Sequence, residues 1–127
     1  MKIIIADDNK DNLYVLSLIL RDYNHEIQTV KNGLELIENL KKDKYDIILL
    51  DIEMPLMNGI QAVTLIRNNE AGPENSGIPI LAMTAHSIRE RNKYLKYGFS
   101  DILIKPINYE KLNEIIQKQF DLWNRQQ

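Results

Sequence analysis

Apolar residues come in short unbroken runs along this chain, and the runs end on polar side chains. Residues 3–6 read Ile-Ile-Ile-Ala and meet Asp7 and Asp8; residues 47–50 read Ile-Ile-Leu-Leu and stop on Asp51. Residues 80–83, Ile-Leu-Ala-Met, lead into Thr84, and residues 102–104, Ile-Leu-Ile, lead into Lys105 and Pro106. A short run that is apolar at every position predicts a strand buried on both faces. Residues 26–30 are half polar and predict a weaker strand at a sheet edge.

Longer segments of helical period separate the runs. They predict helices over residues 10–23, 34–42, 59–69, 87–97 and 109–123. The last carries a one-sided stripe of Leu112, Ile115, Ile116, Phe120 and Trp123, with Trp123 expected to cap the end of the core. In the first helix, about 100° per residue puts Asn12, Leu16, Ile19, Leu20 and Tyr23 on one face, expected to pack on the sheet. Tyr14 and Leu18 then point the other way, one turn apart. Gly33, Gly59, Gly98 and Pro106 punctuate the pattern, and "EAGPENSG", residues 70–77, is the one long turn-rich loop. Alternating strands and helices predict an α/β fold with a parallel sheet covered on both faces. Ligands of such sheets bind beyond the C-terminal ends of the strands.

Applying that rule brings the scattered polar residues to one edge: Asp7 and Asp8 from the first strand, Asp51 from the third, Thr84 from the fourth and Lys105 from the fifth. Each acid taken singly is most often a turn or cap residue. A lone lysine is most often solvated, and a lone threonine is most often a strand residue. Their joint placement has no such explanation. Three crowded carboxylates repel one another and require a cation. Oxygen ligands suit a hard divalent ion such as Mg2+. With Lys105 as a further positive charge and Thr84 as a hydroxyl donor, the edge is suited to receiving a phosphoryl group by attack of an aspartate. Asp51, alone on a central strand, is the best nucleophile; Asp7 and Asp8 are better metal holders.

Composition limits the alternatives. The chain has 127 residues, enough for a single domain, 1–127, with one real core. Net charge is −2, so no global field attracts nucleic acid. There is no cysteine, which excludes disulfides, thiolate catalysis and cysteine-ligated zinc. The apolar runs are too short to span a bilayer. The start, "MKIIIADD", lacks the features of a secretory signal, so a cytoplasmic location is expected.

The segments "IIIADDN", "IILLDIEMPLMNG", "ILAMTAH" and "YGFSDILIKPI" together resemble the receiver domain of two-component response regulators over essentially the whole chain. The resemblance implies a flavodoxin-like (βα)5 fold with sheet order 2-1-3-4-5. It implies that Asp51 takes a phosphoryl group from a phosphohistidine on a histidine kinase or histidine-phosphotransfer protein. Asp8 and Asp51 would ligate Mg2+ with the backbone carbonyl of Glu53, while Asp7 holds a metal-bound water. Thr84 and Lys105 would contact the phosphoryl oxygens. Glu53 and His86 stand at positions that tune phosphoryl lifetime in the family, and the phosphohistidine partner would dock on the first helix at Tyr14 and Leu18. The family's output surface is helix four, strand five and helix five; here helix four carries Arg89, Arg91, Lys93 and Lys96, which suit an acidic partner or a solvated face.

The sequence departs from the family at two points. The aromatic residue common three positions before the lysine is Ile102, and the Asp often found before Gly59 is Asn58. "ADDNKDN" and "MTAHS" are similar to receivers attached to hybrid histidine kinases, and the end at "LWNRQQ", soon after the fifth helix, is expected either of a stand-alone receiver or of one excised from a longer protein. Two other classes fit the chain less well. A Mg2+-dependent aspartyl-phosphate phosphohydrolase would want a second acid, for which Glu53 is suitably spaced, and a substrate cap, for which no insertion is long enough. An FMN binder would want a glycine- and hydroxyl-rich loop after the first strand, where this chain has acids.

Overall fold

A computed structural model describes all residues, 1–127. The elements follow in chain order: β1 (Lys2–Ala6), α1 (Lys10–Asp22), β2 (Glu26–Val30), α2 (Gly33–Lys42), β3 (Ile47–Asp51), α3 (Gly59–Arg67), β4 (Ile80–Thr84), α4 (Arg91–Tyr97), β5 (Asp101–Ile104) and α5 (Tyr109–Asn124). Two single 3-10 turns, Pro73–Asn75 and Ile88–Glu90, precede β4 and α4. The five strands form one parallel sheet of order β2-β1-β3-β4-β5. That order matches the expectation and puts the half-polar β2 at an edge.

Alternation along the strands divides the core. Ile4, Ala6, Ile48, Leu50, Ile80, Ala82 and Ile102 face one side, with α2, α3 and α4 packed over them. Ile3, Ile5, Ile47, Leu49, Leu81, Met83 and Leu103 face the other side, covered by α1 and α5. Both faces are dry, which is why the runs are apolar at every position. Asn9, Asn32, Asn58 and Asn108 cap the N-termini of α1, α2, α3 and α5, each side chain accepting a backbone N–H of the first turn. At α3 the cap is reciprocal: the Gln61 side chain accepts from the Asn58 N–H at 2.9 Å.

Two expectations change. The sheet-facing stripe of α1 is Leu13, Leu16, Ser17 and Leu20. Tyr23 lies outside the helix as its C-cap and is 47% exposed, so it does not pack on the sheet. The stripe follows the i, i+3, i+4, i+7 spacing, and polar Ser17 hides it from a reading of apolar positions. The segment expected to be α4 over 87–97 starts as a 3-10 turn and is α-helical only from Arg91, because no side chain caps its N-terminus. Gly98 ends it in the left-handed conformation, φ 115°. Trp123 is half-buried near the start of β4, where a Cβ on Gly77 would lie 3.4 Å from its indole nitrogen. No helix is long and apolar enough to cross a membrane.

Arg67, at the end of α3, ties three segments together. It donates to the carbonyls of Gly98 at 2.8 Å, Ser76 at 3.0 Å and Ile78 at 2.6 Å. Burial lowers its guanidinium to about 10, so it remains charged at neutral pH.

Candidate functional site

The C-terminal ends of β1, β3, β4 and β5 open into one cleft, lined among others by Asp7, Asp8, Asp51, Glu53, Thr84 and Lys105. β1 and β3 are neighbours with Ala6 opposite Leu50, so the residues that follow each are brought together. Carboxylate oxygens of Asp7, Asp8 and Asp51 all lie within 4.8 Å of one another. Asp7 and Asp51 are buried and Asp8 is exposed. Lys105 reaches in from the end of β5, with Nζ 3.2 Å from Asp51 Oδ1 and 3.9 Å from Asp7 Oδ2.

Asp7 and Asp51 are each held by groups close to them in the chain. The Asn9 N–H donates to Asp7 Oδ1 at 2.9 Å, and the Asn12 amide donates to Oδ2 at 3.3 Å. Asn12 thus serves the cleft from the first turn of α1. The Glu53 N–H donates to Asp51 Oδ1 at 3.3 Å. Gly59 lets the loop after β3 fold back against the strand end. Its N–H donates to the Ile52 carbonyl at 2.9 Å. A Cβ there would overlap the Asp51 carbonyl oxygen and lie 2.9 Å from Ile52 Cα.

Burial first, and then the charge of Asp7, push the Asp51 carboxyl from the ordinary 3.8 up to about 6. Lys105 and the Glu53 N–H pull it back only in part. The cleft therefore holds more negative charge than its own lysine offsets. Its donors are carboxylate oxygens, the set that suits a hard divalent cation.

Thr84 ends β4 at the same edge and is buried. Its hydroxyl accepts the His86 N–H at 3.1 Å and lies 3.3 Å from the hydroxyl of Tyr94. His86 is exposed overall, yet its Nδ1 sits 2.6 Å from the Tyr94 hydroxyl and 3.6 Å from Glu90. Sequence reading missed Tyr94. The available signal was a large polar-tipped aromatic within a helical segment otherwise rich in lysine and arginine, which the apolar stripe alone did not single out. Glu53 is exposed at the mouth of the cleft. Tyr14 is 65% exposed and Leu18 51%, both on the outer face of α1. On α4, Arg91 pairs with Asp101 at 2.8 Å and Lys93 with Glu90 at 3.7 Å, while Arg89 and Lys96 are exposed. A second groove, beside α5, is lined by side chains including Tyr23, Glu114 and Arg125, and no comparable acidic cluster lies there.

Comparison with known proteins agrees with this geometry. The sensor protein GacS of Pseudomonas syringae pv. syringae is 34% identical over 118 residues, covering 92% of this chain and 13% of that protein. The chain therefore spans a small part of that relative. The crystal structure of the receiver domain of the sensor histidine kinase PA1611 from Pseudomonas aeruginosa superimposes with a TM-score of 0.84 at 29% identity, covering 94% of this chain and 97% of that one. That structure has a magnesium ion coordinated in its active-site cleft. The Saccharomyces cerevisiae complex of the histidine phosphotransfer protein Ypd1 with the receiver domain of its downstream response regulator Ssk1 matches with a TM-score of 0.85 at 28% identity, over 96% of this chain and 90% of that one. Residues 3–117 match the family described as the response regulator receiver domain, and with the acid cluster, the lysine and the strand order in place the chain belongs to that family.

Proposed function

We propose that this chain, taken as one domain over residues 1–127, is a signalling switch in which Asp51 accepts a phosphoryl group from a phosphohistidine. The observation that carries the reading is the convergence of Asp7, Asp8 and Asp51 within 4.8 Å, with Lys105 only 3.2 Å from Asp51. In the transfer, a carboxylate oxygen of Asp51 attacks phosphorus, the oxygen–phosphorus bond forms and the nitrogen–phosphorus bond breaks. The imidazole leaves with the electron pair. Lys105 faces the charge that gathers on the phosphoryl oxygens, and Thr84 supplies a hydroxyl to one of them. Asp8, Asp51 and the Glu53 carbonyl would hold Mg2+, with Asp7 orienting a water on it. Such an ion supplies the positive charge that three crowded carboxylates and a phosphoryl group demand.

The donor is a histidine kinase or a histidine-phosphotransfer protein, docked on Tyr14 and Leu18. Exposure of this pair beside the cleft supports that assignment. Glu53 at the cleft mouth and His86, two residues past Thr84, tune how long the phosphoryl group lasts. The only chemistry of the chain is its own phosphorylation and dephosphorylation; it transforms no other substrate. Output runs through the α4-β5-α5 face to a protein partner, with no nucleic acid and no membrane contact. A cytoplasmic setting fits, since that is where ATP feeds phosphohistidines. The phosphohydrolase reading is disfavoured because the loops bordering the cleft, 52–58 and 85–90, are too short to cover a substrate.

The test is incubation with Mg2+ and acetyl phosphate, followed by intact mass. One phosphoryl adduct on the wild type, absent from Asp51→Asn, is expected. An adduct that survives Asp51→Asn, or multiple turnover of varied phosphate esters, overturns the assignment.

A further inference from the structure

Thr84 stands at the cleft edge, but its hydroxyl is engaged on the α4 side. Oγ1 accepts the His86 N–H at 3.1 Å and lies 3.3 Å from the Tyr94 hydroxyl, which is itself 2.6 Å from His86 Nδ1. The three residues thus close a ring of hydrogen bonds. Tyr94 is 1% exposed, its ring edge-on to Phe99 at 6.1 Å and stacked on the His86 imidazole at 6.2 Å. A phenol this buried needs a partner for its hydroxyl, and Tyr94 has two of unequal strength. The 2.6 Å contact to His86 is short, whereas 3.3 Å exceeds the usual O–H···O range of about 2.5–3.0 Å. His86 holds the phenol firmly, and the phenol holds Thr84 loosely.

We propose that Tyr94 is a positioning residue for the chemistry at Asp51: its hydroxyl, anchored by His86, captures the Thr84 hydroxyl and competes for it with a phosphoryl group on Asp51. The inference deepens the phosphoacceptor reading and rests on it. Thr84 has one hydroxyl, and rotation about χ1 exchanges one acceptor for the other. A charged phosphoryl oxygen outcompetes a neutral phenol, since charge-assisted hydrogen bonds are roughly twice as strong. Rotation gives up the long contact to Tyr94 together with the 3.1 Å bond that Oγ1 accepts from the His86 N–H, both of them neutral. Ile102, buried in the same core cluster as Tyr94, offers no polar atom. The aromatic hydroxyl in contact with Thr84 therefore comes from α4, and a movement of Thr84 is felt directly by that helix rather than through β5.

The experiment uses Tyr94→Phe, which keeps the ring in the core, together with Thr84→Val and the double variant. Beryllium fluoride with saturating Mg2+ serves as the phosphoryl probe, its binding followed by fluorine NMR. Tyr94→Phe is expected to bind it about two- to threefold more tightly, the equivalent of a neutral hydrogen bond at the weak end of its range. No such gain is expected in the Thr84→Val background. A second measurement needs no variant: three-bond couplings to Thr84 Cγ2 should report one χ1 rotamer without the probe and another with it. In metal-free Tyr94→Phe the same couplings should show rotamer averaging. An unchanged affinity and rotamer in Tyr94→Phe, an equal gain without the Thr84 hydroxyl, or no rotamer change on probe binding overturns the proposal. Failure of the wild type to bind beryllium fluoride at all overturns the phosphoacceptor reading instead, while the metal-free couplings still decide whether Tyr94 holds Thr84.

Discussion

Asp51→Asn should make the metal-free protein more stable at neutral pH, although Asp51 is the proposed phosphoacceptor. The perturbation removes one negative charge from the buried end of β3 and keeps a side chain of the same shape. In the folded chain the Asp51 carboxyl is raised from 3.8 to about 6, chiefly by burial and then by Asp7. One unit is worth about 1.4 kcal/mol, so the full shift is worth about 3 kcal/mol at most. Water in the open cleft screens part of it, leaving about 1–2 kcal/mol. The sign follows from linkage. A carboxyl raised on folding favours the native state in its protonated form, so its contribution is fully present below about pH 4 and is lost as pH rises through about 6. Above pH 6 the ionised Asp51 carries the whole penalty. Asp51→Asn should then melt higher than wild type by about 4–8 °C at pH 7.5 in EDTA, at roughly 4 °C per kcal/mol for a domain of this size. Near pH 4 the two should melt together. Lys105 loses its 3.2 Å partner but keeps Asp7 at 3.9 Å. Mg2+ should reverse the order, because a ligand bound by the folded wild type stabilises it by mass action and the variant lacks one carboxylate. Thermal melts followed by circular dichroism from pH 4 to 8, with EDTA or with Mg2+, test all of this. A variant less stable than wild type at pH 7.5 in EDTA, or a difference that does not change with pH, would refute the electrostatic account of the site.

Three further outcomes are expected. Arg67→Met should destabilise the fold by about 2–4 kcal/mol in urea, because the carbonyls of Gly98, Ser76 and Ile78 lose their donor together; a loss below about 0.5 kcal/mol would mean that water replaces it. Gly59→Ala should destabilise by about 1–3 kcal/mol and slow phosphorylation by acetyl phosphate, since its Cβ pushes on the Asp51 backbone; wild-type rates would show that the loop yields without moving Asp51. The Tyr14→Ala/Leu18→Ala double variant should slow phosphoryl transfer from a phosphotransfer protein about tenfold or more while leaving the reaction with acetyl phosphate unchanged. Equal loss with both donors would point to damage to the cleft rather than to docking.

Much of this protein is written locally in its chain. Runs such as 47–50 are apolar at every position, which only a strand covered on both faces tolerates, and asparagines precede the helices they cap. The acids, the threonine and the lysine that end the runs follow from the same reading, because parallel strands joined by helices bring their C-terminal ends to one edge. These features depend on spacings of two, three or four residues. Other features depend on how an element is rotated and where it stops, and those are settled by packing between distant segments. Tyr23 fits the α1 stripe by spacing but falls outside it because the helix ends at Asp22. Arg67 resembles an ordinary C-terminal arginine until α4 and the 70–77 loop present carbonyls to it. Tyr94 reaches Thr84 only because the α-helical part of α4 begins at Arg91, after the 3-10 turn at Ile88–Glu90. Local spacing dictates the sheet, its covered faces and which polar residues gather at its C-terminal edge; only packing settles which side chains hold those residues in place, since a contact between segments far apart in the chain depends on the exit and rotation of every element between them.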